Sequence, residues 1–454
     1  MKKRLVFRKS DIMKKFSCII LSLIIMMFST LTAFAAPVWP EYPAQEVQAE
    51  GACLLDAGSG TVLYGKNMHE HYYPASITKI LTALVVIENC DNLDEMLTFS
   101  HNAVYNVEAN SSSAGYDEGD EVTVRTALYA MLLASANEAA NALAEHVGGS
   151  IEGFCEMMNE KARYLGCTDS HFANPSGLND ENHYTSAYDF ALISKAAFEN
   201  DTFVQINGTT YYTLPPMKRN PEEAMIYTHH NMMKKNSSWY YEGIVGGKTG
   251  YTSLAGNTLV TCAERDGLRL ITVVLNGHQT HYDDTKVLLD FGFENFKNES
   301  LADYKTKYDT VLEPMDIAGL GVKNADVITT SREACVTLPK EASVDDLSTD
   351  IVYDLEENAP EDACAKIIYR YGNKDAGKQY VLRKYSHAET EIVLGELIEE
   401  ETEEAEKPVT KKARDWFLET PVWAKILMGL GMIVLISGLL FLIIKLLPGK
   451  NRRR

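Results

Sequence analysis

The sequence predicts an α/β chain of three parts: a mixed helix–strand domain, a small β-rich domain and one transmembrane helix. Three observations carry this. Residues 77–87 are apolar nearly all round, and 124–133 form a second helical run. Residues 244–252, 257–263 and 268–276 read as three consecutive strands, the last two joined by the hairpin pair Asp266-Gly267. Residues 426–444 are nineteen residues without a charge.

In chain order, the N-terminus carries Lys2, Lys3, Arg4, Arg8, Lys9, Lys14 and Lys15, then an apolar run over 16–28 and Ala33-Phe34-Ala35. That is a secretory signal peptide over 1–35, cut after Ala35. Residues 37–296 form the first domain, closed by a helix over 281–296. Residues 297–395 change to short strands at 334–338, 350–355, 365–371 and 379–385, separated by Pro and Gly turns. Residues 396–420 are an acidic linker, with Glu399-Glu400-Glu401, Glu403-Glu404 and Glu406.

The span within 421–447 reaches about 28 Å as a helix, enough to cross a bilayer. Trp416 and Trp423 stand at its outer end, where interface anchors sit. Residues 448–454 are basic, which holds this tail in the cytoplasm and the rest of the mature chain outside.

Charge narrows the partners. The net formal charge is −20; losing residues 1–35 removes seven cations and one anion and leaves −26. So acidic a chain argues against nucleic-acid binding. Seven cysteines remain after processing, at 53, 90, 155, 167, 262, 335 and 364. Their odd number and scattered spacing argue against a disulfide framework. Cys53 and Cys262 fall in apolar strands and should be core; Cys335 and Cys364 are within one region and could pair. Neither arrangement of the His-Glu zinc motifs occurs, so no metal and no cofactor is expected. His229-His230 reads as a loop pair.

Three short motifs carry the chemistry: Ser76-Ile77-Thr78-Lys79, Ser135-Ala136-Asn137 and Lys248-Thr249-Gly250. Pro74 places Ser76 at a helix start. Lys79 follows three residues on, on the same face, in the first turn of an apolar helix. A cation there opposes the helix dipole and is a poor choice for stability. Burial, the dipole and a second cation each favour its neutral amine, which could take the Ser76 proton. Ser135 and Asn137 break two helical runs and would point a hydroxyl and an amide into a cleft. Gly246, Gly247 and Gly250 permit close approach to a strand, where Lys248 and Thr249 would bind a carboxylate by charge and hydroxyl. A Ser N-cap, a polar helix break and a solvated edge lysine are the plain alternatives for the three motifs taken singly.

Taken in order, the motifs resemble the low-molecular-mass penicillin-binding proteins, the serine-type D-alanyl-D-alanine carboxypeptidases of peptidase family S11. The resemblance also runs through residues 54–64 and through His171-Phe172-Ala173-Asn174-Pro175-Ser176-Gly177-Leu178, and spans most of 50–295. It implies a serine β-lactamase-like fold, an antiparallel sheet with helices on both faces. It implies Ser76 as nucleophile, Lys79 as base, and Ser135 and Asn137 as proton relay and substrate holder. Lys248, Thr249, Gly250 and Tyr251 would bind substrate, the backbone amides of Ser76 and Tyr251 forming an oxyanion hole.

The implied reaction removes the terminal D-Ala from peptidoglycan stem peptides, and β-lactams would acylate the same serine. An endopeptidase cutting cross-links and a β-lactamase use the same residues; a catalytically poor penicillin-binding scaffold is the alternative of another class. Relatives held by an amphipathic C-terminal helix differ from this chain, whose span is apolar all round and should cross the bilayer as a single pass.

Overall fold

The computed structural model describes residues 38–43, 46–302, 315–317, 320–322 and 328–383. The expected signal peptide, acidic linker, apolar span and basic tail lie outside them. Among the described residues no helix is long and apolar enough to cross a membrane.

The chain opens with the hairpin β1 (Gly51–Asp56) and β2 (Val62–Lys66). A single 3-10 turn (Ala75–Thr78) runs directly into α1 (Lys79–Asn89). A helical lobe follows: α2 (His101–Tyr105), α3 (Val124–Leu133), α4 (Asn137–Gly148), α5 (Ile151–Tyr164), α6 (Ala187–Glu199) and α7 (Asp201–Asn207). Two small antiparallel ribbons decorate it, β3 (Met96–Thr98) with β4 (Glu121–Thr123), and β5 (Tyr211–Leu214) with β6 (Ala224–Tyr227). The chain then returns to the sheet as β7 (Ile244–Thr252), β8 (Gly256–Arg265) and β9 (Leu268–Leu275), and closes with α8 (His281–Asn295).

The main sheet is antiparallel in the order β2-β1-β9-β8-β7. Asp266 and Gly267 both take positive φ, 51° and 79°, the pair a tight hairpin between β8 and β9 needs. Both faces are buried, and side chains alternate between them as a strand requires. Cys53, Leu55, Ile271 and Val273 join the core of α1 and α6, while Leu54, Leu270 and Val274 join Leu288 and Leu289 of α8. The sheet is thus sandwiched, and its β7 edge lies against the 3-10 turn that carries Ser76.

The C-terminal strands are β10 (Phe296–Ser300), β11 (Met315–Ile317), β12 (Leu320–Val322), β13 (Ile328–Thr330), β14 (Cys335–Pro339), β15 (Ser348–Val352), β16 (Ala363–Tyr371) and β17 (Lys374–Arg383). β10 pairs with β14, β11 with β12, and four strands form a sheet in the order β13-β17-β16-β15. These strands do not stand apart from the sandwich. Val336, Ile367 and Tyr369 belong to the same core as Leu54 and Phe291. Trp39 packs on Phe296 and Tyr371, with ring centroids 5.1 and 6.3 Å away. The buried Asp56 carboxylate ties the β1–β2 turn to this region, accepting from Gly58 N, Ser59 N, Asn298 Nδ2 and Thr337 Oγ1.

All seven cysteines among the described residues are free thiols, Cys335 and Cys364 included. Cys53 and Cys262 are buried, as apolar strand residues should be. Burial pushes both thiols up to about 12.

Candidate active site

Ser76 sits at a bend the backbone has to be forced into. Ala75 takes φ 51°, a left-handed conformation unusual for a residue with a Cβ. The loop before α6 holds it there. Gly177, at φ +85°, approaches so closely that a Cβ on it would lie 1.9 Å from the Ala75 carbonyl oxygen. Asn174 shapes that loop, its Oδ1 accepting from the backbone N–H groups of Ser176, Gly177 and Leu178. On the other side Thr258 Oγ1 donates to the Pro74 carbonyl at 2.8 Å. A Cβ on Gly250 would meet the Ser76 nitrogen at 2.8 Å, so only glycine lets β7 come this near.

Lys79 begins α1 and is completely buried, at 0% exposure. Its Nζ donates to Ser76 Oγ (3.0 Å), Asn137 Oδ1 (2.7 Å) and the Ser176 carbonyl (2.6 Å). Burial is the main force holding this amine well below the ordinary lysine value. The neighbouring Lys248 cation pushes the same way, and Glu138 opposes both. A neutral amine keeps two N–H bonds, to Asn137 and Ser176, and turns its lone pair to Ser76 Oγ. That is the arrangement a general base needs.

The second motif lies between α3 and α4, where the helical run breaks. Ser135 takes φ 61° and is buried. Its Oγ accepts from Lys248 Nζ at 3.0 Å. Lys248 lies on β7 at 2% exposure, and also donates to the Thr249 carbonyl at 2.8 Å. Burial pushes its amine down to about 7. The expected lysine anchor is therefore less direct than the sequence suggests. Thr249, Gly250 and Tyr251 line the cleft, while Lys248 lies beneath Ser135.

The cleft itself has a volume of about 770 Å³. Ser76, Ser135 and Asn137 line it, together with residues 249–252 of β7 and residues 108–112. His229 lines it too, and burial with the Lys248 cation pushes its imidazole down to about 4. Its neighbour His230 is buried under β7, with Nε2 2.8 Å from Thr261 Oγ1.

Sequence reasoning gave no role to three groups that the structure brings to this site. The Ser176 carbonyl bonds Lys79. His183, buried, accepts from Ala173 N–H at Nδ1 and so donates from Nε2 to Thr78 Oγ1, 2.9 Å away. Glu138 fixes the 113–115 loop. The Asn174-Pro175-Ser176-Gly177 run was the available signal, since its composition marks a turn.

A family model described as D-alanyl-D-alanine carboxypeptidase, peptidase S11, matches residues 38–279. The chain belongs to this family. It is 33% identical over 274 residues to the D-alanyl-D-alanine carboxypeptidase DacF of Bacillus subtilis, covering 57% of this chain and 68% of that one. It is 32% identical over 258 residues to DacB2 of Mycobacterium tuberculosis, covering 55% and 84%. Among solved structures it is similar to the Streptomyces K15 DD-transpeptidase, with a TM-score of 0.52 and 30% identity over 56% of this chain and 100% of that one. The family match covers the main sheet and α1 to α7 and ends before α8. The three motifs lie within the matched region: the first at a 3-10 turn leading into α1, the second at the α3–α4 break and the third on β7, which is the edge of the sheet.

Proposed function

We propose that this S11 peptidase is a serine D-alanyl-D-alanine carboxypeptidase that trims the terminal D-Ala from peptidoglycan stem peptides and is acylated by penicillin. One observation carries the reading: a buried lysine amine 3.0 Å from the hydroxyl of a serine held at a strained bend in a cleft. Ser76 Oγ attacks the carbonyl carbon of the penultimate D-Ala, and its proton passes to neutral Lys79. The amides of Ser76 and Tyr251 hold the oxyanion. Lys79 passes that proton on through Ser135, with Lys248 behind it, to the departing D-Ala amine; the C–N bond breaks to leave an acyl-enzyme, and both Lys79 and Ser135 return to their starting protonation. Thr249 reads the terminal carboxylate, with the Lys248 charge below it. Asn137 holds the peptide and orients Lys79. Water, activated by the same Lys79, then hydrolyses the ester. A β-lactam acylates Ser76 in the same way, but its leaving group stays tethered and obstructs that water.

The test is mass spectrometry of muropeptides after incubation with the purified residues 37–420. Loss of one D-Ala from pentapeptides supports the reading. Release of monomers from cross-linked dimers supports an endopeptidase, and no change rejects both. The proposed topology is a cleaved signal followed by a single stop-transfer span with the catalytic body outside. Its supports are the basic N-terminus with Ala33-Phe34-Ala35 and the nineteen uncharged residues before a basic tail. Protease added to spheroplasts should remove the catalytic body and spare the tail; a protected body refutes this topology.

A further inference from the structure

Glu138 is a buried acid for which the reaction above has no use. It is the second residue of α4, next to Asn137, and is 2% exposed. Its Oε1 accepts from Ser113 Oγ (2.7 Å), Ala114 N (2.7 Å) and Gly115 N (3.1 Å). Its Oε2 is buried and accepts no hydrogen bond. One residue before it, the Asn137 N–H donates to the Ser112 carbonyl at 3.0 Å. Two adjacent residues of α4 therefore staple the segment whose residues 108–112 line the cleft together with β7. One of the two, Asn137, also bonds Lys79.

A carboxylate with three donors on one oxygen and none on the other is an expensive way to close a loop. Gln would fill the same space with less desolvation. What the carboxylate adds is negative charge in a poorly solvated setting, where charge acts strongly on its neighbours. The charged and titratable groups around Lys79 are few. Lys248 on β7 and Glu138 on α4 act on it with opposite sign, His183 and His229 are held neutral by burial, and the buried Tyr116 hydroxyl feels Glu138 directly. Without an anion the two amines would repel each other with no counterweight.

We propose that Glu138 is a positioning residue of the acyl-transfer site: it clamps the 108–115 segment to α4 and supplies the buried negative charge that balances Lys79 against Lys248. The proposal rests on the Ser76–Lys79 reading. Its two functions separate by substitution. Glu138→Gln keeps the shape and an acceptor for the loop but removes the charge. Glu138→Asp keeps the charge but shortens the reach.

The direction of the pH effect follows from sign. Glu138 favours the protonated Lys79, so its neutralisation favours the free amine. The acid limb of the acylation rate, below which Lys79 is protonated, should move to lower pH in Glu138→Gln. In Glu138→Asp the limb should stay where it is in the parent protein, while the rate falls on the order of tenfold because the segment is displaced.

The experiment is the rate of labelling of the full chain by a fluorescent penicillin across pH, for the parent and both variants, with thermal denaturation to establish folding. A limb that does not move in folded Glu138→Gln overturns the charge balance. A rate in Glu138→Asp equal to the parent's overturns the clamp. Should Glu138→Gln fail to fold, the acid limb of Glu138→Asp decides: a limb at the parent's pH supports the charge balance, and a displaced limb overturns it. Absence of any labelling in the parent protein would instead defeat the Ser76–Lys79 reading on which the proposal stands.

Discussion

Replacing Lys79 by Arg isolates the base. The side chain keeps its place at the start of α1, but a guanidinium carries a permanent charge and cannot shed its proton near neutral pH. Lys79 Nζ has three acceptors within 3.0 Å and no exposed surface. Two of them, Asn137 Oδ1 and the Ser176 carbonyl, suffice for a neutral amine, and the third is the nucleophile. With Arg the third contact is a donated hydrogen bond that holds the Ser76 oxygen without taking its proton. The loss is that of a general base, about 10²–10⁴-fold in acylation, or about 3–5 kcal/mol of barrier. The larger group also overpacks a closed site, at about 1–3 kcal/mol of stability. Folding must therefore be verified by circular dichroism and thermal denaturation before rates are compared. The assay is stopped-flow acylation by a fluorescent penicillin near pH 7, where an amine held well below the ordinary lysine value of 10.5 can be neutral. A folded Lys79→Arg protein acylated within about threefold of the parent refutes the base assignment.

Other perturbations test the surrounding geometry. Gly177→Ala sets a Cβ 1.9 Å from the Ala75 carbonyl at φ +85°; it should cost about 2 kcal/mol or more and cut penicillin labelling, and parent-like melting and labelling would contradict the packing that bends Ser76. Lys248→Gln, which loses the charge beneath Thr249 and Ser135, should raise KM for a D-Ala-D-Ala peptide; an unchanged KM with lowered kcat would make Lys248 a proton-transfer group only. His183 and His230 are pushed by burial from 6.5 to about 3. Since the folded state binds these protons more weakly than the unfolded chain, stability is full above pH 6.5 and falls as pH drops toward 3, by up to ~1.4 kcal/mol per pH unit for each histidine. His230→Gln should flatten that acid slope in thermal denaturation, and an unaltered slope would show that His230 is not held neutral.

Much of this site was legible because it is local. The β7 strand falls on residues 244–252 as the sequence predicts, α3 on 124–133, and α8 on 281–295, one residue short. Each has a period or a turn signal that adjacent residues settle by themselves. The turn at Ser76 was less so. Pro74 marks a helix start, yet the first turn is 3-10, since Ala75 adopts a left-handed conformation only because Gly177 and Thr258 close around it. Those contacts, Gly177 with Ala75 and Thr258 with Pro74, span 102 and 184 residues of sequence. The Ser176 carbonyl as a partner of Lys79 has no side-chain signature at all. Which way Lys248 points depends on the pleat of β7 and on where the α3–α4 break comes to rest, so a carboxylate anchor could be read from residue type but not its place behind Ser135.

The most direct measurement locates the covalent bond. Purified protein is incubated with benzylpenicillin, its intact mass is recorded, and the adduct is mapped by peptide mass spectrometry alongside Ser76→Ala. One penicilloyl group on the peptide containing Ser76, absent from the folded Ser76→Ala protein, is the result expected of a serine acyl-enzyme at this cleft. An adduct on any other residue, or labelling that survives Ser76→Ala, contradicts it.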